Sequence, residues 1–134
     1  QYADGSYAIG WKMIDGYWYY FNASAYMHTG WLYDDANQGW DYLDPTTGAM
    51  QTGWIYLEGY CYYLDSSGKM LLGWQMIDGK FYYFSTKNGA MLTGKTWIGG
   101  TVWPLRSDGS LDLSKKDAPD INITTSEHRH TTKK

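Results

Sequence analysis

The chain has 134 residues, enough for one ordinary domain, and reaches 43 % hydrophobic content with 8 Trp and 14 Tyr punctuated by 16 Gly, so rings and turns outweigh aliphatics. A formal charge of -3 gives no basic footprint, which excludes the electrostatic attraction that dominates nucleic-acid binding. No apolar run approaches the roughly 18 residues of a membrane span, and the single cysteine, Cys61, excludes an internal disulfide or a cysteine-built zinc scaffold.

The first residues, "QYADGSYAIG", lack the basic and apolar regions of a signal peptide, so export would imply a signal already removed. Their "DGSYAIG" reads as the tail of an earlier unit, which predicts an array that extends before Gln1. From there the chain is a repeat. Gly-Trp recurs at Gly10-Trp11, Gly30-Trp31, Gly53-Trp54 and Gly73-Trp74, with a degenerate fifth start at Gly94-Lys95, at spacings of 20, 23, 20 and 21 residues. Each unit then carries an aromatic cluster: "YWYYF" from Tyr17, "WDYL" from Trp40, "YCYYL" from Tyr60, "FYYF" from Phe81. Each closes on a turn and a methionine, Met27, Met50, Met70 and Met91, with Leu111 in that slot of the fifth unit.

Asp15-Gly16, Glu58-Gly59 and Asp78-Gly79 sit between short apolar runs, and such pairs favour the two-residue turn of a β-hairpin. With those residues as the turn, Ile14 faces Tyr17, Met13 faces Trp18, Lys12 faces Tyr19 and Trp11 faces Tyr20. Strand alternation then puts Trp11, Met13, Trp18 and Tyr20 on one face. The equivalent sets are Trp31, Tyr33, Trp40 and Tyr42; Trp54, Tyr56, Cys61 and Tyr63; and Trp74, Met76, Phe81 and Tyr83. The opposite face is mixed and carries Ile14, Tyr19 and Phe21, with Leu43, Leu64 and Phe84 in the last slot. A lone hairpin is marginal in water, so the units must stack. The predicted fold is all-β, a solenoid of stacked β-hairpins with one hairpin per repeat of about 20 residues. In the fifth unit Lys95 replaces the expected Trp and Pro104 removes a ladder donor, which reads as a cap. Residues 1–113 are the repeats, and 114–134 form a C-terminal tail whose composition suggests mobility, with "INIT" alternating well enough for one short strand.

Gly-Trp, a hairpin turn, an aromatic triplet, a Gly turn and a Met, four times in tandem, resembles the choline-binding or cell-wall-binding repeat of Gram-positive surface proteins. The resemblance covers residues 1–113. It implies a noncatalytic attachment module, secreted and held at the bacterial cell surface, that binds choline of teichoic-acid phosphocholine. Similar repeats in glucan-binding proteins and clostridial toxins bind carbohydrate, so attachment is implied more firmly than choline. In the choline-binding branch a cage between consecutive hairpins uses the Gly-Trp tryptophan, the first ring of the triplet and an aromatic of the adjoining repeat. Carried over by position, the Gly-Trp slots are Trp11, Trp31, Trp54 and Trp74. The first-ring slots are Trp18, Trp40, Cys61 and Phe81. The last-Tyr slots are Tyr20, Tyr42, Tyr63 and Tyr83, and the neighbour's contribution is sought among these and the tryptophans. Cys61 removes a ring, Asp41 breaks the second triplet, and the loop "DDANQG" is two residues longer than its equivalents; these departures weaken the cages that rely on them, and the distance of Trp97 from the fifth start puts a last cage in doubt.

The chemistry fits the residue types. A quaternary ammonium donates no hydrogen bond, and aromatic faces attract it at about 0.5 to 2 kcal/mol per ring. One cage is then weak, about millimolar, and repetition along a polymer supplies avidity. The bland readings stand beside this one. The tryptophans also serve to pack hairpin on hairpin, and the methionines fill core gaps. Asp15, Glu58 and Asp78 are turn residues rather than acid and base. His28 lies at a repeat boundary, and His128 and His130 alone make no metal site. Cys61 is a small apolar residue with no histidine in a matching slot. No catalytic arrangement, metal or cofactor is expected. The alternatives to choline are a carbohydrate or glucan module and a structural spacer without ligand; the sequence leaves a homodimer open.

Overall fold

The computed structural model describes residues 9–119. It contains ten strands of five residues each: β1 Gly10–Ile14, β2 Tyr17–Phe21, β3 Gly30–Asp34, β4 Gly39–Leu43, β5 Gly53–Leu57, β6 Tyr60–Leu64, β7 Gly73–Ile77, β8 Lys80–Phe84, β9 Gly94–Ile98 and β10 Thr101–Leu105. They form five two-stranded sheets, each joining a strand to the next in sequence. Among the described residues there is no helix. The fold is all-β, of the hairpin-solenoid class expected, one hairpin per repeat.

Asp15 and Gly16 have φ of 52° and 87°, and Asp78 and Gly79 have 52° and 80°. Both central residues in the left-handed region define the turn whose twist matches the flanking strands. That turn fixes the register. Trp11 pairs with Tyr20 and Met13 with Trp18, Trp31 with Tyr42 and Tyr33 with Trp40, and Trp74 with Tyr83 and Met76 with Phe81. In the longer second loop Gln38 takes the left-handed φ, 52°, and the Asp34 carboxylate accepts the Ala36 N–H at 3.1 Å.

A two-residue turn is flanked by a hydrogen-bonded pair, and pairs alternate thereafter. Trp11–Tyr20, Met13–Trp18 and their equivalents are therefore non-hydrogen-bonded pairs, whose N–H and C=O groups point away from the partner strand. The outward carbonyls find partners in the closing segments. Within each repeat the Tyr20 carbonyl accepts from His28, Tyr42 from Gln51, Tyr63 from Leu71, Tyr83 from Leu92 and Pro104 from Asp112. Between consecutive repeats the Trp18 carbonyl accepts from Met50, Trp40 from Met70, Cys61 from Met91 and Phe81 from Leu111, at 2.7 to 2.9 Å. The methionine slots thus tie each repeat to the one before. Pro104 corrects the sequence expectation of a lost ladder donor: it pairs with Lys95 at a non-hydrogen-bonded position, where its missing N–H costs the ladder nothing.

The chain divides into two compact units, which within the described residues comprise 9–53 with 64–70, and 54–63 with 71–119. The first unit is centred on Leu43 and Leu64, both 0 % exposed, with Met70 and Ala49. Leu43 bridges Met50, and Leu64 bridges Met70. The second is centred on Phe84, also 0 % exposed, with Ile77, Ala90, Leu105 and Leu111. Here Phe84 bridges Met91, and Leu105 bridges Leu111. The last-slot residues Leu43, Leu64, Phe84 and Leu105 are therefore the core, joined from the methionine slots by Met70 and Leu111, while Met50 and Met91 are half-buried and Met27 is exposed. Fully burying such a side chain stabilises by about 1.5 to 3 kcal/mol.

The tail boundary at 114 falls inside an ordered turn. The Asp112 carboxylate accepts from the Ser114 N–H and hydroxyl, and Lys115 N–H donates to the Asp112 carbonyl at 3.1 Å. The "INIT" stretch, His128 and His130 lie outside the described residues.

Candidate functional site

In the second unit Trp74 meets two rings, one from its own hairpin and one from the next. Its own hairpin supplies Tyr83, the cross-strand partner, at 5.3 Å between ring centroids and 71° between planes. The same face carries Phe81 opposite Met76. The next hairpin supplies Trp103, 4.8 Å away at 66°. Edge-to-face geometry of this kind adds about 0.5 to 1.5 kcal/mol per pair beyond area burial. Trp103 is oriented by its indole N–H, which donates to the Ile98 carbonyl at 3.3 Å.

Trp54 repeats the arrangement one hairpin earlier. Tyr63 lies 5.2 Å away, and the next hairpin presents Tyr82 at 5.0 Å and Phe84 at 5.8 Å. Here the first-ring slot is Cys61, so the wall has one ring fewer. Burial raises the pKa of the Tyr82 phenol, helped by the charges of Asp108 and Asp78, so the ring stays neutral across the physiological range.

In the second unit the ring that the next hairpin lays on the Gly-Trp tryptophan is the middle one of its triplet, Tyr82 on Trp54 and Trp103 on Trp74. It comes from the opposite face: Tyr82 pairs with Gln75 and Trp103 with Thr96. Last-slot tyrosines Tyr63 and Tyr83 instead brace their own tryptophans. A face of one hairpin packs on the reverse face of the next.

The first unit shows the same bracing, Trp11 with Tyr20 at 5.3 Å and Trp31 with Tyr42 at 4.9 Å. Trp40 stacks edge-on against Tyr33 at 5.4 Å, and Trp18 is half-buried across from Met13. Trp11 and Tyr20 line a cleft of about 400 Å³ with Leu32, Tyr33 and Asp34. The middle slot of hairpin β3–β4 is Asp41, paired with Leu32 and 0 % exposed. A buried carboxylate stands where the later repeats have a ring. The longer second loop is tied down by Asn37, whose side-chain amide donates to Ser67 at 3.0 Å; Ser67 donates to Asp65 at 2.5 Å. Sequence reading missed Tyr82, Trp103 and this network, although the recurrence of a ring at the middle slot was visible.

Among the described residues no group of histidine, cysteine or carboxylate side chains is placed to hold a metal, and no helix is long and apolar enough to cross a membrane.

The profile of the choline-binding repeat matches residues 8–52 and again 51–97. No curated protein matches the chain. Among solved structures, it resembles choline binding protein F of Streptococcus pneumoniae, crystallised with a peptidoglycan analogue, at 41 % identity and a TM-score of 0.78 over 82 % of this chain and 36 % of that one. CbpJ of the same organism gives 38 % identity and a TM-score of 0.74 over 78 % and 35 %. The pneumococcal cell-wall endolysin of phage Cp-1, complexed with choline, gives 34 % and 0.58 over 91 % and 37 %. The chain spans about a third of the length of these relatives. Repeated Gly-Trp hairpins, the matching profile and these likenesses lead to one conclusion: the chain belongs to the choline-binding repeat family.

Proposed function

We propose that this chain is a noncatalytic attachment module, secreted and held at a bacterial cell surface, whose aromatic cages bind choline on teichoic-acid phosphocholine. The observation that carries the reading is the ring cluster of the second unit, where Trp74 and Phe81 share a face, Tyr83 packs on Trp74 and Trp103 of the next hairpin lies 4.8 Å from it. A trimethylammonium group offers no hydrogen-bond donor, so a wall of rings with no buried countercharge suits it. Three rings give a few kcal/mol before immobilisation costs, consistent with about millimolar affinity per site. The choline in the phage endolysin complex and the peptidoglycan analogue with choline binding protein F support the class of ligand.

Sites at Trp11 with Trp18 and Tyr20, Trp31 with Trp40 and Tyr42, and Trp54 with Tyr63 are proposed on the same logic. The best equipped is Trp74 with Phe81 and Tyr83, and the poorest in rings are those with Asp41 or Cys61 in a wall slot.

The test is a choline titration followed by Trp fluorescence and thermal unfolding, with sodium chloride at equal ionic strength as control. Saturable quenching with a rising melting temperature is expected, reduced in Trp74→Ala. A flat choline titration with a response to soluble glucan would assign the module to carbohydrate, and a flat response to both would leave the rings a packing role.

A further inference from the structure

The Lys116 ammonium lies over the Trp103 ring, 4.7 Å from its centroid. This placement is built into the fold. The Asp112 N–H donates to the Pro104 carbonyl, next to Trp103, at 2.9 Å. The Asp112 carboxylate then caps the turn through Ser114 and is held by Arg106 at 3.2 Å and Lys115 at 4.0 Å. Lys116 follows directly and is half-buried. Among the described residues neither ion pair involves Lys116; its recorded contact is the ring.

We propose that Lys116 is an internal cation that sets the affinity of the cage formed by Trp74, Phe81, Tyr83 and Trp103, an inference that rests on the cation-binding reading above. A ligand cation in that cage must come within about 6 Å of the Trp103 centroid to be attracted by it. If it takes the face that Lys116 covers, the lysine has to leave. If it takes the other face, two like charges about 10 Å apart share one ring quadrupole. Both arrangements weaken ligand binding. The lysine thus occupies Trp103 while the cage is empty and makes this cage discriminate in favour of ligands whose cation enters deeply enough to displace it. Neutral sugars, which gain nothing from the quadrupole, are not held back by charge.

The test uses the full chain, Lys116→Gln and Lys116→Arg, with the indole N–H resonance of Trp103 identified by its loss in Trp103→Phe. In the ligand-free protein, ring-current shifts of the Lys116 methylene resonances report the contact. Choline is then titrated while the Trp103 resonance and those of the other tryptophans are followed. Removing one exposed cation–π competitor is expected to tighten choline at the Trp103 site by about two- to fivefold in Lys116→Gln. The arginine variant is expected to stay near wild type, the other cages to be unchanged, and choline to release the Lys116 ring-current shift. Unchanged choline affinity at Trp103 in Lys116→Gln, with binding intact elsewhere, would overturn the proposal and leave the cage reading standing. A ring-current shift with no choline response at any tryptophan in any variant would overturn the cage reading, and the proposal with it.

Discussion

Cys61 stands in the slot held by Trp18, Trp40 and Phe81 in three of the other hairpins, on the face where Trp54 meets Tyr63 and Tyr82 at 5.2 and 5.0 Å. It is half-buried and unbonded to another cysteine. Cys61→Trp is therefore expected to complete the wall of the proposed Trp54 site and tighten choline there, read by calorimetry as a lower dissociation constant for that site at unchanged stoichiometry. Gly68 is constrained in the opposite sense. It sits at φ 89°, and an added Cβ would meet the Met50 sulfur at 2.5 Å. Strained backbone and overpacking act together, so Gly68→Ala is expected to destabilise by about 1 to 3 kcal/mol, read as a lower urea midpoint. At Phe84, 0 % exposed, truncation to alanine removes a core ring and contacts to Trp54; a loss of about 3 to 5 kcal/mol is expected.

The hairpins draw their geometry from turns, and the closing segments draw theirs from carboxylates. Asp44 accepts the backbone N–H groups of Thr46 and Thr47 at 2.7 and 2.9 Å, which holds its pKa below the usual range. Asp108 is lowered first by the Ser110 hydroxyl and then by the Ser110 N–H, and Asp112 first by the Ser114 hydroxyl. A depressed folded-state pKa means that folding favours the ionised form. That contribution is complete above the unfolded carboxyl pKa and is lost as pH falls through the folded value. Melting temperature is thus expected to hold steady from neutral pH down to about pH 5 and to fall below about pH 4. Asp44→Asn and Asp108→Asn should flatten that acid limb, since the amide keeps an acceptor without a proton to gain.

At the scale of the whole chain, the proposed reading makes each cage weak and the array the source of strength. With dissociation constants and effective concentrations both about millimolar, each proposed cage would multiply retention on a choline-bearing polymer by a modest factor. Trp74→Ala is expected to lower free-choline capacity by one site's share and to weaken retention on immobilised choline by roughly twofold to tenfold, measured as the choline concentration needed for elution. The neighbours are about three times this chain's length, and they include both a choline binding protein and a phage endolysin.

By itself the sequence determined the repeat, the hairpins and their registers. Asp15-Gly16 or Asp78-Gly79 sets a turn, the turn sets the pairing, and the pairing decides which side chains share a face; each step spans a few residues. It also put Trp74, Phe81 and Tyr83 on one face of their hairpin, as the pairing has them. Only the tertiary structure decided what each face meets. Stacking one hairpin's tryptophan face on the next one's reverse face made the middle slot, Tyr82 and Trp103, the neighbour's ring, because that choice depends on packing between residues some 20 to 30 positions apart, beyond what alternation encodes. The same is true of Asp41, buried where a ring would be, and of Lys116. Composition suggests mobility for the tail from residue 114, but the Asp112 turn, anchored on the Pro104 carbonyl, carries the Lys116 ammonium onto an indole.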